Sequence, residues 1–395
     1  MEELVQKITD SVNSRARKMF EIACDIFDHP EIGRQEYYAS DLLTKTLEEY
    51  GFTVERGLAD LPTSFKAVYE NGKGGPAIGF LGEYDCLRNL GHGCGHHMQT
   101  PACLGAALAV RDVMGDKPYK LIIYGTPDEE IDCGKGQMCD HKVFNDSDVC
   151  INWHASAQSR CSYKNKANIK TRVEWHGKPA HASGAPWNGR SALDAAVLTF
   201  HALEIMREHI EDGCRIHYSM VEGTGATNIV HPRALVDYSL RALDNEYLMD
   251  MQSRFMDILK GAALMTGTTY DAKVYQPYLV LLPVPTLRET MLDCLEAINP
   301  PRFTREIFKG GGSTDVGNVS WEVPTVFFQT AFYPSSAHTQ DWVDAGKTEI
   351  AFDSMTNGSK AAALFCCRLI NEPEILEKAK AEWKADKEAA TGKKA

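Results

Sequence analysis

The sequence predicts an α/β protein built around a mostly parallel sheet flanked by helices, with a smaller α+β domain inserted into it. Two observations carry this prediction. Short apolar runs alternate with helix patterns in residues 1–167 and again in 283–395, as in a parallel sheet covered on both faces. Residues 168–282 instead show strict apolar–polar alternation, which is typical of half-exposed antiparallel strands.

Residues 1–50 are predicted to be helical, because apolar residues recur at helical spacing and Gly51 provides a stop. Strands follow, with an alanine-rich helix pattern, "TPACLGAALAVRDVM", between them. The predicted strands are "TSFKAVYEN", "GPAIGFLGEYD", "YKLIIYGTPDEE" and "SDVCINWHA". After the insertion the first domain resumes with the helix "LRETMLDCLEAI" and the strand "PTVFFQTAF", and the chain ends in a solvated, lysine-rich helix.

The inserted segment is predicted to follow a βαββαβ order. Its strands are "ANIKTRVEWHG", "IHYSMVEG", "RALVDYSLRAL" and "TYDAKVYQPYLVL", and its helices are "GRSALDAAVLTFHALEIMREHI" and "NEYLMDMQSRFMDILKGAALMTG". This order is typical of a four-stranded antiparallel sheet with two helices on one face.

Composition narrows the classes of function. The 395 residues carry a formal net charge of −12, which argues against nucleic acid and against an anionic membrane surface as partners. The N-terminal stretch lacks the pattern of a signal peptide, and no apolar run approaches the ~20 residues of a membrane span. Twelve scattered cysteines form no disulfide framework, so we expect reduced thiols and a cytoplasmic location.

Candidate metal ligands follow three of the predicted strands and a fourth strand further along the chain. The stretch "GFLGEYD" contains Glu83 and Asp85 and is followed by "GHGCGHH". The stretch "LIIYGTPDEE" ends in three acidic residues, and "VCINWH" ends in His154. The carboxyl ends of parallel strands share one edge of the sheet, so these residues can meet there. Thiol, imidazole and carboxylate groups, with one carboxylate left as a base, are what a pair of divalent metals needs.

Each signal has a plainer interpretation when taken alone. Cys94 could be a buried thiol, His92 a structural loop residue, and adjacent acids usually lie on a solvated surface. A cysteine protease built on Cys94 would leave the acids without a role. The sequence contains no G-x-S-x-G elbow, and "GGGSTD" is a poor phosphate loop because no obvious helix follows it. Together the signals favour a hydrolytic metal site.

The motifs occur in a familiar order: "GEYDCLRNLGHGCGHH", "GTPDEEIDCGKGQM", "INWHA", "HGKPAHAS", "GGGSTDVGNVSW" and "AHTQDW". In this order the chain resembles the aminoacylase and carboxypeptidase-G-like metallopeptidases, in particular the p-aminobenzoyl-glutamate hydrolase and N-acyl-amino-acid amidohydrolase branch. The resemblance runs from about residue 20 to residue 370. It implies a catalytic domain holding two divalent metal ions, zinc or manganese, and an inserted lid domain used for homodimerisation.

The resemblance also implies a role for individual residues. The implied metal ligands are Cys94, His96, Glu130, His154 and His338. Glu129 would be the general base, and His181, reaching the active site of a partner protomer, would help to stabilise the oxyanion. The positions implied to contact a small-molecule substrate are Asn228, Arg241, Gly312 and Ser313.

The implied reaction is hydrolysis of an amide bond in a small N-acyl or N-aroyl amino acid or a dipeptide, by a water that the metals activate. Two alternatives stay open: hydrolytic deamination of an aromatic amine at the same site, and a non-catalytic binding homologue. The chain departs from the family pattern at His97, where relatives have Asp or Asn, and at Glu83, where the wider family has a histidine.

Overall fold

The structure is a computed structural model, and it describes residues 1–161, 165–223, 225–308 and 311–392. The chain forms two compact units. The first comprises Met1–Lys164, Leu281–Gly310 and Asp315–Ala395, and the second comprises Asn165–Val280 and Gly311–Thr314. The predicted limits of the inserted lid domain, residues 168 and 282, remain a prediction.

Helices and strands are numbered here along the whole chain. The helices are α1 (Glu2–Asp28), α2 (Tyr37–Glu49), α3 (Gln99–Met114), α4 (Gly134–Asp140), α5 (Ala192–Met206), α6 (Asn245–Thr266), α7 (Pro285–Ile298), α8 (Val316–Ser320), α9 (Gln340–Ala345), α10 (Glu349–Asn371) and α11 (Pro373–Thr391). The strands are β1 (Thr53–Arg56), β2 (Phe65–Asn71), β3 (Ala77–Gly82), β4 (Tyr119–Gly125), β5 (Val149–Ser156), β6 (Arg160–Cys161), β7 (Ala167–His176), β8 (Arg215–Glu222), β9 (Arg233–Ala242), β10 (Thr269–Val274) and β11 (Thr325–Ala331).

The first unit is built on a seven-stranded sheet in the order β1-β2-β4-β3-β5-β11-β6. Its centre is parallel: β3 pairs with both β4 and β5, and β11 pairs with β5. The outer strands β1, β2 and β6 run antiparallel to their neighbours. The central strands are buried almost throughout, since helices cover the sheet, and α3 packs against both α1 and α10.

The second unit is a four-stranded antiparallel sheet in the order β10-β7-β9-β8, with α5 and α6 packed on it. Buried and partly exposed residues alternate along β9, as its sequence predicts. Side chains cap both helices: Ser191 accepts a hydrogen bond from the backbone of Asp194, and Asp244 accepts one from that of Tyr247. The helix α6 ends at Gly267, whose φ of +65° lies in the left-handed region.

The fold class predicted from the sequence is confirmed: a mostly parallel sheet with helices, and a separate four-stranded antiparallel sheet with two helices. The sequence patterns did not reveal β1 or β6, which contain four and two residues. Among the described residues, none of the helices combines the length and the apolar character needed to cross a membrane.

Candidate metal centre

The parallel register of the first unit gathers the candidate ligands at one edge of its sheet. Glu83 directly follows β3, Glu129 and Glu130 follow β4 after a short turn, and His154 lies near the carboxyl end of β5. These three strands are parallel neighbours, so their carboxyl ends meet at the same edge. The loop that carries Cys94 starts from this edge and leads into α3.

The loop turns tightly around its two ligands because of one glycine. Gly95 has a φ of +85°, and a Cβ atom there would lie 3.2 Å from Met98 and 3.3 Å from Ala155. Glycine therefore suits this position both in backbone conformation and in space. The flanking residues Cys94 and His96 are buried, with exposed fractions of 9% and 1%.

The side chains form overlapping groups of metal-ligand atoms. The Cys94 thiol lies 3.4 Å from Nε2 of His154. Three groups have ligand atoms that all lie within 4.8 Å of one another: Cys94, His96 and His154; Cys94, Glu130 and His338; and His96, Glu129 and Glu130. The structure thus brings together all five residues that the resemblance implied as ligands, with Glu129 beside them.

Asp85 orients two members of the cluster at once. Its Oδ1 lies 3.0 Å from Nδ1 of His96, and its Oδ2 accepts a hydrogen bond of 2.9 Å from the backbone N–H of Glu130. A ligand histidine usually has its second ring nitrogen bonded to a carboxylate in this way. Because Asp85 engages Nδ1, the nitrogen of His96 left for a metal ion is Nε2, which lies 3.2 Å from Oε2 of Glu83.

His338 closes the cluster from a loop after β11. Its φ of +68° is left-handed, and its backbone N–H donates to the carbonyl of Gly93 at 2.9 Å, which ties this loop to the loop of Cys94. Its Nε2 lies 3.6 Å from Oε1 of Glu130. With 54% of its side chain exposed, His338 is the most open of the five candidate ligands.

The electrostatics of the site favour a bound cation. Burial, followed by the neighbouring carboxylates Glu83 and Glu130, raises the pKa of Glu129 well above its usual range. Burial also raises the pKa of the Cys94 thiol, and burial together with His96 lowers the pKa of His154 to about 4. A divalent cation would stabilise the thiolate and the carboxylates and would need His154 neutral. One thiol, three imidazoles and the Glu130 carboxylate, with the Glu129 carboxylate beside them, are a donor set that fits a pair of such ions.

A buried lysine adjoins the cluster, a feature that the sequence did not reveal. The ammonium of Lys135 lies 2.6 Å from Oε1 of Glu83 and 2.6 Å from Oδ1 of Asp315, and the backbone N–H of Lys135 donates to Oδ2 of Asp315 at 2.9 Å. All three side chains are at most 1% exposed. One oxygen from each of Glu83, Glu129 and Asp315 lies within 4.8 Å of the other two.

Glu83 takes the place of a histidine in the wider family pattern, and here it pairs with cations. Burial opposes its ionisation, but the charges of Lys135 and His96 lower the pKa of Glu83 to about 2. Burial raises the pKa of Asp315 to about 6, even though Lys135 opposes this shift. Glu83 also accepts a hydrogen bond from Gln99 at 2.5 Å and lies 3.2 Å from Nε2 of His96.

His97 and His92 lie beside the metal cluster but belong to none of the candidate metal groups of the described residues. Nε2 of His97 lies 2.9 Å from the carbonyl of Gly346, and both imidazole rings pack against Phe27. Burial lowers the pKa of His97 to about 4, so the ring is neutral. His97 therefore anchors the loop, and it adds no ligand to these groups.

The remaining candidates lie in the second unit. Residues His181 and Asn228 are exposed and lie on adjacent segments, since the N–H of Ala182 donates to the carbonyl of Asn228 at 2.8 Å. The guanidinium of Arg241 donates to the Ser313 hydroxyl at 3.0 Å. The carbonyl of Gly312 accepts from the N–H of Lys166 at 3.0 Å. Their contact with a substrate stays a prediction.

The sequence of this chain is similar to those of known hydrolases. The profile of the peptidase dimerisation domain of the M20 family matches residues 163–265. Over 459 aligned residues the chain is 29% identical to one of the subunits of p-aminobenzoyl-glutamate hydrolase from Escherichia coli strain K12, and the match covers 97% of this chain and 95% of that relative. Within residues 163–265 the chain is therefore similar to M20 peptidases, and over nearly its whole length it is similar to this hydrolase subunit. A second relative, the Xaa-Arg dipeptidase of Mus musculus, is 29% identical over 403 residues, covering 97% of this chain and 93% of that protein.

Two solved structures have the same fold as this chain. The aminobenzoyl-glutamate utilization protein of Klebsiella pneumoniae matches with a TM-score of 0.70 at 18% identity, covering 90% of this chain and 97% of that one. A dinuclear metal-binding peptidase of the M20 family from Bacillus subtilis matches with a TM-score of 0.63 at 16% identity, covering 89% and 98%. The fold predicted from the motifs is thereby confirmed.

Proposed function

We propose that this protein is a metal-dependent amidohydrolase that cleaves the amide bond of a small N-acyl or N-aroyl amino acid or of a dipeptide. The observation that carries the proposal is the juxtaposition of Glu129 with the five candidate ligands at the carboxyl edge of one parallel sheet. Relatives at comparable identity are hydrolases of p-aminobenzoyl-glutamate and of Xaa-Arg dipeptides. More distant ones act on hippurate and N-acetyl-L-cysteine.

The metal ligands in this proposal are Cys94, His96, Glu130, His154 and His338. They would hold two divalent ions, zinc or manganese, and the thiolate favours zinc. When bound, such ions polarise a carbonyl group and lower the pKa of a water molecule.

The chain's own residues then move the proton and hold the geometry. Glu129, whose carboxylate adjoins His96 and Glu130, accepts a proton from the attacking water and returns it to the leaving nitrogen. Asp85 fixes the ring of His96 and the backbone of Glu130 through its two oxygens, so the base and the ligands keep their spacing.

The second unit has a separate part in the proposal. We assign His181 to stabilisation of the oxyanion, and Asn228, Arg241 and the 312–313 loop to the substrate, by resemblance to the family. The match of residues 163–265 to a peptidase dimerisation domain supports a homodimer. None of the twelve cysteines, all in the described part of the chain, forms a disulfide, which supports a reducing location such as the cytoplasm.

The test replaces Glu129 by Gln and uses Glu70→Gln, an exposed glutamate of β2, as the matched control. Turnover of N-benzoyl and N-acetyl amino acids is followed by release of the free amino acid, and metal content is measured by elemental mass spectrometry. We expect kcat to fall by ~10²–10⁴-fold in Glu129→Gln, with the metal content unchanged, because only the proton carrier is lost. Undiminished turnover would refute the role of Glu129, and release of ammonia from an arylamine without amide cleavage would show a deaminase.

A further inference from the structure

Arg160, on the short strand β6, is a nearly buried guanidinium whose partners are all neutral. Its exposed fraction is 9%. Its nitrogens donate to Gln329 at 2.7 Å, to Ser156 at 3.4 Å and to Gln158 at 3.5 Å, and its guanidinium carbon lies 4.0 Å from the ring centre of Phe308. No carboxylate of the described residues lies within ion-pair distance of it. Burial lowers the pKa of Arg160, and no charged neighbour contributes to the shift.

Such an arrangement is costly unless a counter-ion arrives. Charged side chains are almost never buried without a partner, because leaving water costs several kcal/mol per ion. Arg288, the other arginine with an exposed fraction of 9%, follows this rule, since it pairs with Glu289. Arg160 differs from it in having no anion within ion-pair distance among the described residues.

Arg160 also lies in register with His154, one of the candidate metal ligands. On three adjacent strands His154 of β5 pairs with Gln329 of β11, and Gln329 pairs with Arg160 of β6. Paired residues of neighbouring strands point to the same face of a sheet, and strands are about 4.8 Å apart. The backbone of Arg160 is thus about 10 Å from that of His154. Gln329, which binds the guanidinium, lies between them.

Two aromatic rings lie beside these residues. Phe327, two residues before Gln329, has its ring centre 6.2 Å from that of His154, and Phe308 packs against Arg160 and is 43% exposed. An anion held here would be flanked by apolar surface, where a charge-assisted hydrogen bond is stronger than in water.

We propose that Arg160 binds a carboxylate of the substrate and so selects N-acyl amino acids over neutral amides. This inference rests on the proposed amidohydrolase function. The α-carboxylate of an N-acyl amino acid is attached to the carbon beside the scissile nitrogen, so an amide held at the metal cluster brings this group close to Arg160. A side-chain carboxylate, as in an N-acyl glutamate, has the same chemistry and reaches further.

The experiment compares the wild type with Arg160→Gln, Arg160→Lys and the control Arg17→Gln, which removes an exposed guanidinium paired with Glu349. The substrates are N-benzoylglutamate, N-benzoylglutamine, N-benzoylisoglutamine and N-benzoylglycinamide, which differ chiefly in the carboxylates they carry. We expect Arg160→Gln to lower kcat/KM by about 10- to 100-fold, mainly through KM, for substrates that carry the recognised carboxylate. The neutral glycinamide should change less than about twofold, and Arg160→Lys should recover part of the loss.

The pattern of losses identifies the carboxylate. Loss for the glutamate and glutamine derivatives alone shows that Arg160 binds the α-carboxylate, whereas loss for the glutamate and isoglutamine derivatives shows that it binds the side-chain carboxylate. Equal loss on all four substrates would mean that Arg160 only supports the fold, and no loss on any would also overturn the inference.

A binding measurement separates this inference from the proposed function. Calorimetric titration of N-benzoylglutamate into Glu129→Gln and into Glu129→Gln/Arg160→Gln requires no turnover. Binding that is about 10- to 100-fold weaker in the double variant supports the anion site, whether or not the wild type turns over any substrate. If the wild type also cleaves none of the four substrates, only the amidohydrolase proposal is refuted. Equal binding by both variants would refute the anion site.

Discussion

Replacing Lys135 by Met is the sharpest test of the electrostatics around the candidate metal ligands. The ammonium of Lys135 lies 2.6 Å from one carboxylate oxygen of Glu83 and 2.6 Å from one of Asp315, and the three side chains are at most 1% exposed. Methionine nearly preserves the length and the apolar stem of lysine but removes its charge. The variant therefore leaves two buried carboxylates without the cation between them.

The expected loss of stability follows from these distances. At an effective dielectric constant of about 20, each contact contributes about 6 kcal/mol of attraction. Desolvation of the buried ions opposes this by several kcal/mol per group, so the net contribution is smaller than the sum. Removing one partner of a buried pair typically costs about 3–5 kcal/mol, and we expect Lys135→Met to lower the free energy of unfolding of the first unit by that amount.

The assay is urea unfolding with calorimetry as a second probe, because the two units of this chain need not unfold together. The control is Lys142→Met, which removes an exposed lysine paired with Glu322 and should change stability by less than about 1 kcal/mol. The double variant Lys135→Met/Asp315→Asn should regain part of the loss, since one uncompensated carboxylate is gone. A Lys135→Met protein as stable as the control would refute the reasoning, as would a double variant less stable than the single one.

Two further predictions concern the thiol ligand and a buried acid. Cys94→Ser should lower the metal bound per chain as measured by elemental mass spectrometry, since serine is a poor substitute for a thiolate, and unchanged metal content would remove Cys94 from the ligand set. Glu36, which accepts hydrogen bonds from Thr63 and from the backbone of Asp128, has its pKa raised by burial from 4.5 to about 8. The folded state therefore favours the protonated form of Glu36. Its contribution to the free energy of unfolding is complete below about pH 4.5 and is lost as the pH rises from about 4.5 through about 8, by up to ~1.4 kcal/mol per pH unit. Glu36→Gln should flatten the dependence of unfolding free energy on pH in this window, and an unaltered slope would contradict the assignment.

The sequence predicted those strands whose hydrophobic pattern extends over six or more residues. The central strands of the first unit are apolar runs of six to eight residues, and those of the second unit alternate over six to ten, so period and length suffice to recognise them. The strand β6 contains only Arg160 and Cys161, too few residues for any period. Its pairing with β11 decides where the Arg160 guanidinium lies, so the proposed anion site could not be inferred before the structure.

The grouping of the candidate metal ligands could be expected, because the segments that carry them follow or end strands and parallel strands share an edge. Lys135 carried no such signal. A lysine between two glycines is expected on the surface, and its burial depends on Asp315, 180 residues further along the chain. The role of His97 was left open by the sequence, because its imidazole lies against the carbonyl of Gly346, 249 residues away, and no local pattern signals that contact.

The buried carboxylates beside the candidate metal ligands explain why this site should bind divalent cations. Asp85 holds the ring of His96 and the backbone of Glu130, and Glu83 and Asp315 hold Lys135, so each carboxylate has a positioning task inside the protein. Lys135 supplies a single positive charge for the carboxylates beside it, and Glu129 lies within 4.8 Å of two of them. Packing this many acids together is unfavourable unless protons or cations balance them. Divalent ions bound by the thiol and imidazole groups would supply that balance and leave Glu129 ionised, which is the state a general base requires.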